Sequence, residues 1–304
     1  MILIGIESKF FFMVKEQFVD YLQYEKRFSP HTVTAYSNDL QQFYDFLLSD
    51  YSINNIVEVN HTFIRTWLVK LMEANISARS INRKITTLKT FYKFLLREGI
   101  VSVNPMLKII APKNSKRLPE YVAQEKMNRL LDFTDFAPGF EGIRDKMIIE
   151  LFYATGMRLS ELINLNHYSF DFYSNAVKVM GKRNKERIIP FSVNTKNLLQ
   201  EYLIELKKNF PQAEYFFVTD KGQKLYPRFV YELVKKGLGE VTTAKKKSPH
   251  VLRHSFATNM LNNGAELNAI KELLGHANLS ATQVYTHNTI SKLKNIHSQA
   301  HPKA

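Results

Sequence analysis

Residues 111 to 120 read APKNSKRLPE, a stretch rich in proline and in basic side chains. Proline offers no amide hydrogen, and it pushes the residue before it toward extended backbone. The stretch therefore reads as an exposed linker, and Asn104-Pro105 just ahead of it marks the break. With 304 residues to distribute, a linker here leaves two lengths that can each bury a core. The expected organisation is an extension over 1–13, a first domain over 14–110, the linker at 111–120 and a second domain over 121–304.

Helical periodicity dominates from Lys15 to about Gly99, with no credible strand. Phe18, Tyr21, Leu22 and Glu25 begin one helix. Ser29 followed by Pro30 signals the start of a second, because serine caps free amides and proline suits the first helical position. Val33, Tyr36, Leu40, Phe43 and Leu47 form its apolar stripe. A third helix covers roughly Thr62 to Ala74. In the fourth, Ile81, Ile85, Leu88, Phe91 or Tyr92, and Leu95 point inward, and Gly99 supplies a left-handed end. Arg79, Ser80, Asn82, Arg83, Lys84, Thr87 and Lys89 crowd the first turns of that fourth helix, where donors can meet phosphates or base edges. Charged helix faces are otherwise commonly just solvated.

The first thirteen residues, MILIGIESKFFFM, have the apolar content of a sorting signal. They lack a basic leading segment, Glu7 and Lys9 interrupt the run, and no small-residue cleavage site follows. Secretion is not expected. Met13 directly precedes an amphipathic pattern, so the segment reads as an upstream start or a disordered arm. No run approaches the length of a membrane span.

Charge then limits the partners. Forty-two Lys and Arg stand against 28 Asp and Glu, a formal charge of +14, which draws the chain toward something densely anionic. Nucleic acid leads, since neutralising phosphates releases condensed counterions; an anionic membrane surface or a ribosomal location would give the same balance. There is no cysteine. That excludes disulfides, thiolate nucleophiles and cysteine-ligated metal, and it suits a reducing cytoplasm.

Beyond the linker the pattern changes. Val122 to Asp132 and Gly142 to Tyr153 read as helices, NAVKVMGKRNKERIIPFS gives two short strands around a polar turn, and YFFVTD at 215–220 is a third candidate strand. Helices return from Pro227. The second domain is thus mostly helical with a small antiparallel sheet.

Its polar residues fall in places that packing does not explain. In YATGMRLSELINL, Gly156 breaks one helix and Arg158 stands where the next begins, with Glu161 one turn on to brace it; a plain surface ion pair is the competing reading. GKRNKER projects Lys182, Arg183, Lys185 and Arg187 as mobile cations from a hairpin, a motif that often serves only solubility. In SPHVLRHSFAT, Pro249 starts a helix, His250, Arg253 and His254 share a face, and Val251, Leu252, Phe256 and Met260 pack inward. His250 and His254 have the spacing of a helical metal pair, but the glutamate of a zinc-protease motif is absent and Arg253 would repel a metal. Gly264 and Gly275 end two helices, which places His276 on a sharp turn. Ser280 with Gln283 resembles a capping box, and Tyr285 rides on the short helix that follows.

Together these residues offer two guanidiniums, a lysine, imidazoles and a phenol to a phosphodiester. Two arginines can clamp the non-bridging oxygens and offset the charge of a pentacoordinate phosphorus, a task that metals perform elsewhere. Neither metal nor cofactor is then required. A phenol, with a free pKa of about 10, needs a base or a cationic field to act as nucleophile. His250 can be that base, and Lys182 can protonate the departing 5′ oxygen.

Read in order, ATGMRLSEL, GKRNKER, SPHVLRHSFAT and LLGHANLSATQVYTH resemble the tyrosine recombinases, and within them the Xer-type site-specific recombinases of bacteria. The resemblance spans nearly the whole chain. It implies a mainly α fold: an N-terminal four-helix, SAM-like core-binding bundle, and a mostly helical catalytic domain with a small antiparallel β-sheet, the two gripping duplex DNA as a clamp. It implies catalytic roles for Arg158, Lys182, His250, Arg253 and His276, with Tyr285 as nucleophile, although Lys185 lies close enough to compete with Lys182. Arg79, Ser80, Asn82, Arg83 and Lys84 are the expected DNA-binding residues of the bundle.

The same resemblance implies cutting and rejoining through a 3′-phosphotyrosyl bond and a Holliday junction, without ATP or metal. It further implies a double-stranded recombination site, a tetramer with itself or a paired recombinase, and an FtsK-like septal DNA translocase as partners in resolving chromosome or plasmid dimers in the cytoplasm. The helix-like ISKLKNIHS after Tyr285 is expected to dock on a neighbouring subunit. An integrase of a mobile element would keep the same site. A type IB topoisomerase would keep the chemistry, and a non-catalytic accessory protein would keep only the charge and the bundle.

Overall fold

The computed structural model describes residues 2–113, 120–134, 136–181, 186–275 and 287–303. Lys182, Arg183, Lys185, His276, Ser280, Gln283 and Tyr285 lie outside the described residues. The chain divides into two compact units, Met1–Arg117 and Leu118–Ala304, and the division falls inside the proline-rich stretch.

The first unit is a four-helix bundle. Helix α1 (Ile2–Asp20) runs into a π-helical turn over Tyr21–Glu25, and α2 (Pro30–Tyr51), α3 (His61–Glu73) and α4 (Ala78–Arg97) follow. Ser29 caps α2 by accepting from the Thr32 N–H at 3.4 Å, with Pro30 at its first position. Every residue of the expected α2 stripe is buried. In α4, Ile81, Ile85, Leu88 and Leu95 are buried, and so are both Phe91 and Tyr92. Gly99 takes a φ of +70° just beyond the helix.

The N-terminal extension corrects the sequence reading. Residues 2–13 are no separate arm: they are continuous with α1, Phe11 and Val14 are fully buried, and the Phe11 ring stacks on Tyr44 at 3.9 Å. The Phe11–Tyr44 stack ties the end of this segment to α2, against the reading of a disordered arm.

The second unit packs helices around a three-stranded sheet. In order come α5 (Gln124–Phe133), α6 (Phe140–Thr155), α7 (Leu159–Ile163), β1 (Phe170–Asp171), β2 (Ala176–Met180), β3 (Glu186–Pro190), α8 (Val193–Asn209), α9 (Pro227–Val241), α10 (Pro249–Asn262), α11 (Leu267–Leu274) and α12 (His287–Ala300). The sheet runs β1-β2-β3, antiparallel throughout, with Val177 opposite Ile189 and Val179 opposite Arg187. No helix among the described residues is long and apolar enough to cross a membrane.

Residues 215–220 are not a strand. Phe216, Phe217 and Val218 are buried, but the Phe216 N–H donates to Leu165 O at 3.0 Å and its carbonyl accepts from the Tyr202 hydroxyl at 2.9 Å. A single bridge, Val218 with Lys224, is all the pairing there. Burial satisfied by scattered partners needs no ladder, so β-prone composition misleads. The terminal helix α12 lies on its own domain. Leu293, His297 and Ala300 are buried, and His297 and His301 bond the carbonyls of Ala154 and Tyr153 at 2.9 and 3.0 Å. Leu293, His297 and Ala300 of this helix therefore pack within this chain's own second unit.

Candidate active site

Two helix ends build the site. Helix α6 closes at Gly156, whose φ of +59° is left-handed. A Cβ there would sit 2.5 Å from Phe256 Cδ1 and 2.9 Å from Leu274 Cδ2, so the position needs glycine for room as well as for conformation. Two residues later Arg158 becomes the N-cap of α7. Its backbone N–H donates to Glu161 Oε2 at 2.7 Å and its Nη1 to Glu161 Oε1 at 2.8 Å. The brace expected from the spacing forms, and it is no surface pair, because Glu161 is buried.

The second end is that of α11. The last carbonyls of a helix lack partners within it and lie at the negative end of its macrodipole. Here three successive carbonyls each accept from a different arginine. Leu273 O takes Arg187 Nε at 2.8 Å, Leu274 O takes Arg253 Nη2 at 2.7 Å, and Gly275 O takes Arg158 Nη2 at 3.2 Å. Arg253 Nη1 also reaches Gly156 O at 2.5 Å, so one guanidinium ties the end of α6 to the end of α11. This mount stands immediately before His276 in the chain.

Three cations around one anion set the electrostatics. Burial would raise the Glu161 carboxyl, but the hydrogen bonds and charge of Arg187, joined by those of Arg158, prevail and hold it at about 2. Burial brings Arg253 down to about 9, and the positive charges of Arg158 and Arg187 push the same way. The guanidinium stays protonated at neutral pH. Each guanidinium has five N–H donors. Arg158 and Arg253 use two apiece on these contacts, so both keep donors for a further anion, and Arg158 is about one-third exposed.

Arg187 corrects a sequence expectation. The GKRNKER motif predicts a mobile hairpin cation there, as for Lys182, Arg183 and Lys185, yet Arg187 is 3% exposed and grips Glu161 through both Nη groups, at 2.7 and 2.8 Å. The signal was available in the strand alternation. Arg187 and Ile189 lie two apart, share the face of β3, and stand opposite Val179 and Val177.

His250 sits exposed in the first turn of α10, one turn before Arg253. His254, one turn further, is half-buried; burial lowers its imidazole and His250 adds to the effect. Among the described residues, no group of three or more His, Asp or Glu side chains could hold a metal ion. Lys182, His276 and Tyr285 fall outside the description. The hairpin strands β2 and β3 and the end of α11 fix the points from which those segments leave.

The bundle residues expected at DNA divide. Arg79 is exposed, and Ser80 lies in the first turn, where Ser77 caps α4 by accepting from the Ser80 N–H at 3.3 Å. Asn82 Nδ2 donates to Pro112 O at 3.0 Å, and Arg83, half-exposed, pairs with Asp39 and donates to Ala35 O at 3.3 Å. Lys84 contradicts the expectation. It is 5% exposed, its ammonium bonds Asp39 at 2.8 Å and also Gln42, and it lies over the Trp67 ring. A lysine so enclosed serves the core, because an ammonium leaves water only for a paired position.

Comparisons with known proteins agree with this architecture. The sequence model of the phage integrase family matches residues 120–292, and that of the phage integrase N-terminal SAM-like domain matches 16–99. A tyrosine recombinase XerC of Oceanobacillus iheyensis is 40% identical over 294 residues, covering 95% of this chain and 96% of the relative. The tyrosine recombinase XerC of Bacillus subtilis is 36% identical, covering 94% and 95%. Among solved structures, the XerH site-specific recombinase bound to its palindromic difH substrate superposes with a TM-score of 0.69 at 22% identity, covering 88% of this chain and 79% of that one. The Tn1549 transposon integrase in complex with circular intermediate DNA gives 0.69 at 17% identity, covering 92% and 98%. At such identities these two structures speak for the fold.

Proposed function

The chain belongs to the phage integrase family and is a site-specific DNA recombinase of the Xer type, and we propose that it cuts and rejoins duplex DNA through a tyrosyl ester at the site centred on Arg158 and Arg253. The observation that carries this reading is the mount on α11. Three consecutive carbonyls fix three guanidiniums at the point where the chain departs toward His276 and Tyr285.

On this reading Arg158 and Arg253 bind the two non-bridging oxygens of the scissile phosphate with their remaining N–H groups. They meet the charge that grows as phosphorus becomes pentacoordinate. The phenolic oxygen of Tyr285 attacks phosphorus, and His250 takes its proton. The bond from phosphorus to the 5′ oxygen breaks, Lys182 protonates that oxygen, and a 3′-phosphotyrosine remains. His276 is the further donor to the phosphate. A 5′-hydroxyl of a partner duplex then attacks the ester and releases the tyrosine. Each step exchanges one phosphodiester-type bond for another, so no nucleotide hydrolysis is needed.

Arg79, Ser80 and the exposed part of Arg83 are the bundle residues that we assign to the DNA backbone. We further propose that the protein resolves chromosome or plasmid dimers on two recombination sites, as a tetramer of this chain alone or with a paired recombinase. A septal translocase belongs to the same proposal.

A nicked duplex that loses its short 5′ fragment on cleavage traps the ester. Incubation with the protein gives a covalent adduct, and Tyr285→Phe gives none. A wild-type protein that binds this duplex and never becomes attached to it would make the chain a non-catalytic DNA-binding protein.

A further inference from the structure

Arg187 is not among the six residues assigned above to the reaction, yet it is bonded both to the carboxylate that holds Arg158 and to the end of α11. It holds both oxygens of Glu161 through Nη1 and Nη2, and its Nε donates to Leu273 O. Glu161 in turn holds the backbone and the guanidinium of Arg158. Leu273 immediately precedes the two carbonyls that hold Arg253 and Arg158. All three nitrogens of Arg187 are engaged and the side chain is 4% exposed, so it has no face left for a substrate. The chain at Gly275 passes close against it. A Cβ there would lie 2.9 Å from Arg187 Cδ, in a backbone already at a φ of +65°.

From these contacts, and resting on the recombinase reading above, we propose that Arg187 is a positioning residue that sets the separation and orientation of the Arg158 and Arg253 guanidiniums. The planar fork is what the role requires. Two parallel N–H bonds fix the carboxylate of Glu161 in rotation as well as distance, and the third, to Leu273, fixes the end of α11 relative to α7. A lysine keeps the charge and the approximate length but makes no such fork. In its presence Glu161 can turn, and the two phosphate-binding guanidiniums move by a fraction of their spacing.

The test is Arg187→Lys on the nicked duplex, with rates of adduct formation measured at saturating DNA, alongside DNA affinity and thermal unfolding. A misplacement of about 1 Å in groups that bind a reacting phosphate slows the chemistry about 100-fold, and that loss is expected with DNA affinity and melting temperature close to wild type. A second substrate, carrying a methyl group in place of one non-bridging oxygen at the scissile phosphate, separates positioning from general damage. It has less negative charge to clamp, so the gap between wild type and Arg187→Lys narrows.

A wild-type rate for Arg187→Lys overturns the proposal, as does an equal deficit on both substrates. Should Arg187→Lys melt below the assay temperature, Glu161→Gln with Arg187→Gln replaces it, since removing both buried partners leaves only the part-exposed Arg158 without its carboxylate. Loss of chemistry with retained binding, again narrowed by the methyl group, supports positioning, and retained chemistry refutes it. The recombinase reading fails separately: in that case the wild type itself forms no adduct, and the role of Arg187 falls with it.

Discussion

Glu161 and Arg187 meet through two parallel hydrogen bonds of 2.7 and 2.8 Å, buried between α7 and β3, while the same carboxylate holds Arg158. One anion therefore faces two cations directly and a third, Arg253, nearby. Its charge keeps guanidiniums together that would otherwise repel.

Replacing that charge has a predictable direction. Glu161→Gln leaves Arg187 buried with a weaker acceptor, and breaking a buried pair from one side costs about 3–5 kcal/mol. Denaturant unfolding should show a loss toward the lower end of that range, since the amide oxygen keeps one acceptor. Because the carboxyl sits at about 2 in the fold and near 4.5 when free, its contribution is complete above pH 4.5 and is lost as pH falls through 2. The wild type and Glu161→Gln should therefore differ by a constant amount between pH 5 and 8. A difference that shrinks within that window would show that the carboxylate is not the stabilising form.

Gly275→Ala tests the close approach on the other side of Arg187. A left-handed φ of +65° strains alanine by about 1–3 kcal/mol, and the new methyl would press on Arg187 Cδ at 2.9 Å. Both effects bear on the site, so adduct formation should fall more than tenfold while DNA affinity holds. By contrast Gly264, at φ +87°, has open space around its missing Cβ. Gly264→Ala should lose stability from strain alone and keep its cleavage rate, as compared on the same nicked duplex.

Much of this was legible beforehand, for reasons that differ by element. The stripe of α2 repeats with the helical period over about four turns, so its inward face follows from spacing alone. The Arg158–Glu161 brace follows from a three-residue offset at a helix start. Arg187 was hidden because a hairpin dense in cations reads as solvent-facing, and only the two-residue alternation with Ile189 points inward. Lys84 was hidden for a related reason. Its partner Asp39 lies 45 positions away on α2, beyond anything local spacing reports. The sequence reads α12 as helical, but nothing in its spacing shows that His297, and His301 just beyond the helix, bond α6 carbonyls.

Those histidines make a pH prediction. The His301 Nδ1 accepts from the Lys303 N–H at 3.1 Å and its Nε2 faces Tyr153 O at 3.0 Å, so the neutral ring with a proton on Nε2 fits both partners. Burial, the stacked ring of His297 and the charge of Lys303 bring its pKa from 6.5 down to about 3, despite the bond to Tyr153. A depressed folded pKa means that the unfolded chain binds the proton first. Stability is thus full above pH 6.5 and declines as pH falls toward 3. Glu150, whose carboxyl is raised by burial, runs the opposite way at the acid end. His301→Gln keeps a donor for Tyr153 without an ionisable ring, so its unfolding free energy should vary less between pH 7 and 5 than that of the wild type. Equal slopes for the two proteins in urea titrations would assign the acid loss to other groups.

The bundle supplies a contrast between two basic residues five positions apart on α4. Arg79 is exposed, and if it neutralises one phosphate, Arg79→Ala weakens DNA binding across sequences. The salt dependence, log affinity against log salt concentration, then drops by about one. Its stability should change by no more than about 0.5 kcal/mol. Lys84→Ala should do the reverse. It removes the buried ammonium that bonds Asp39 and Gln42 and lies over Trp67, for a loss of about 3 kcal/mol, while folded protein keeps the wild-type salt slope. Measuring both variants on one duplex at several salt concentrations, each with an unfolding curve, separates a cation that meets DNA from one that closes a core. A lowered salt slope in stable Lys84→Ala would mean that this lysine leaves Asp39 when DNA is bound.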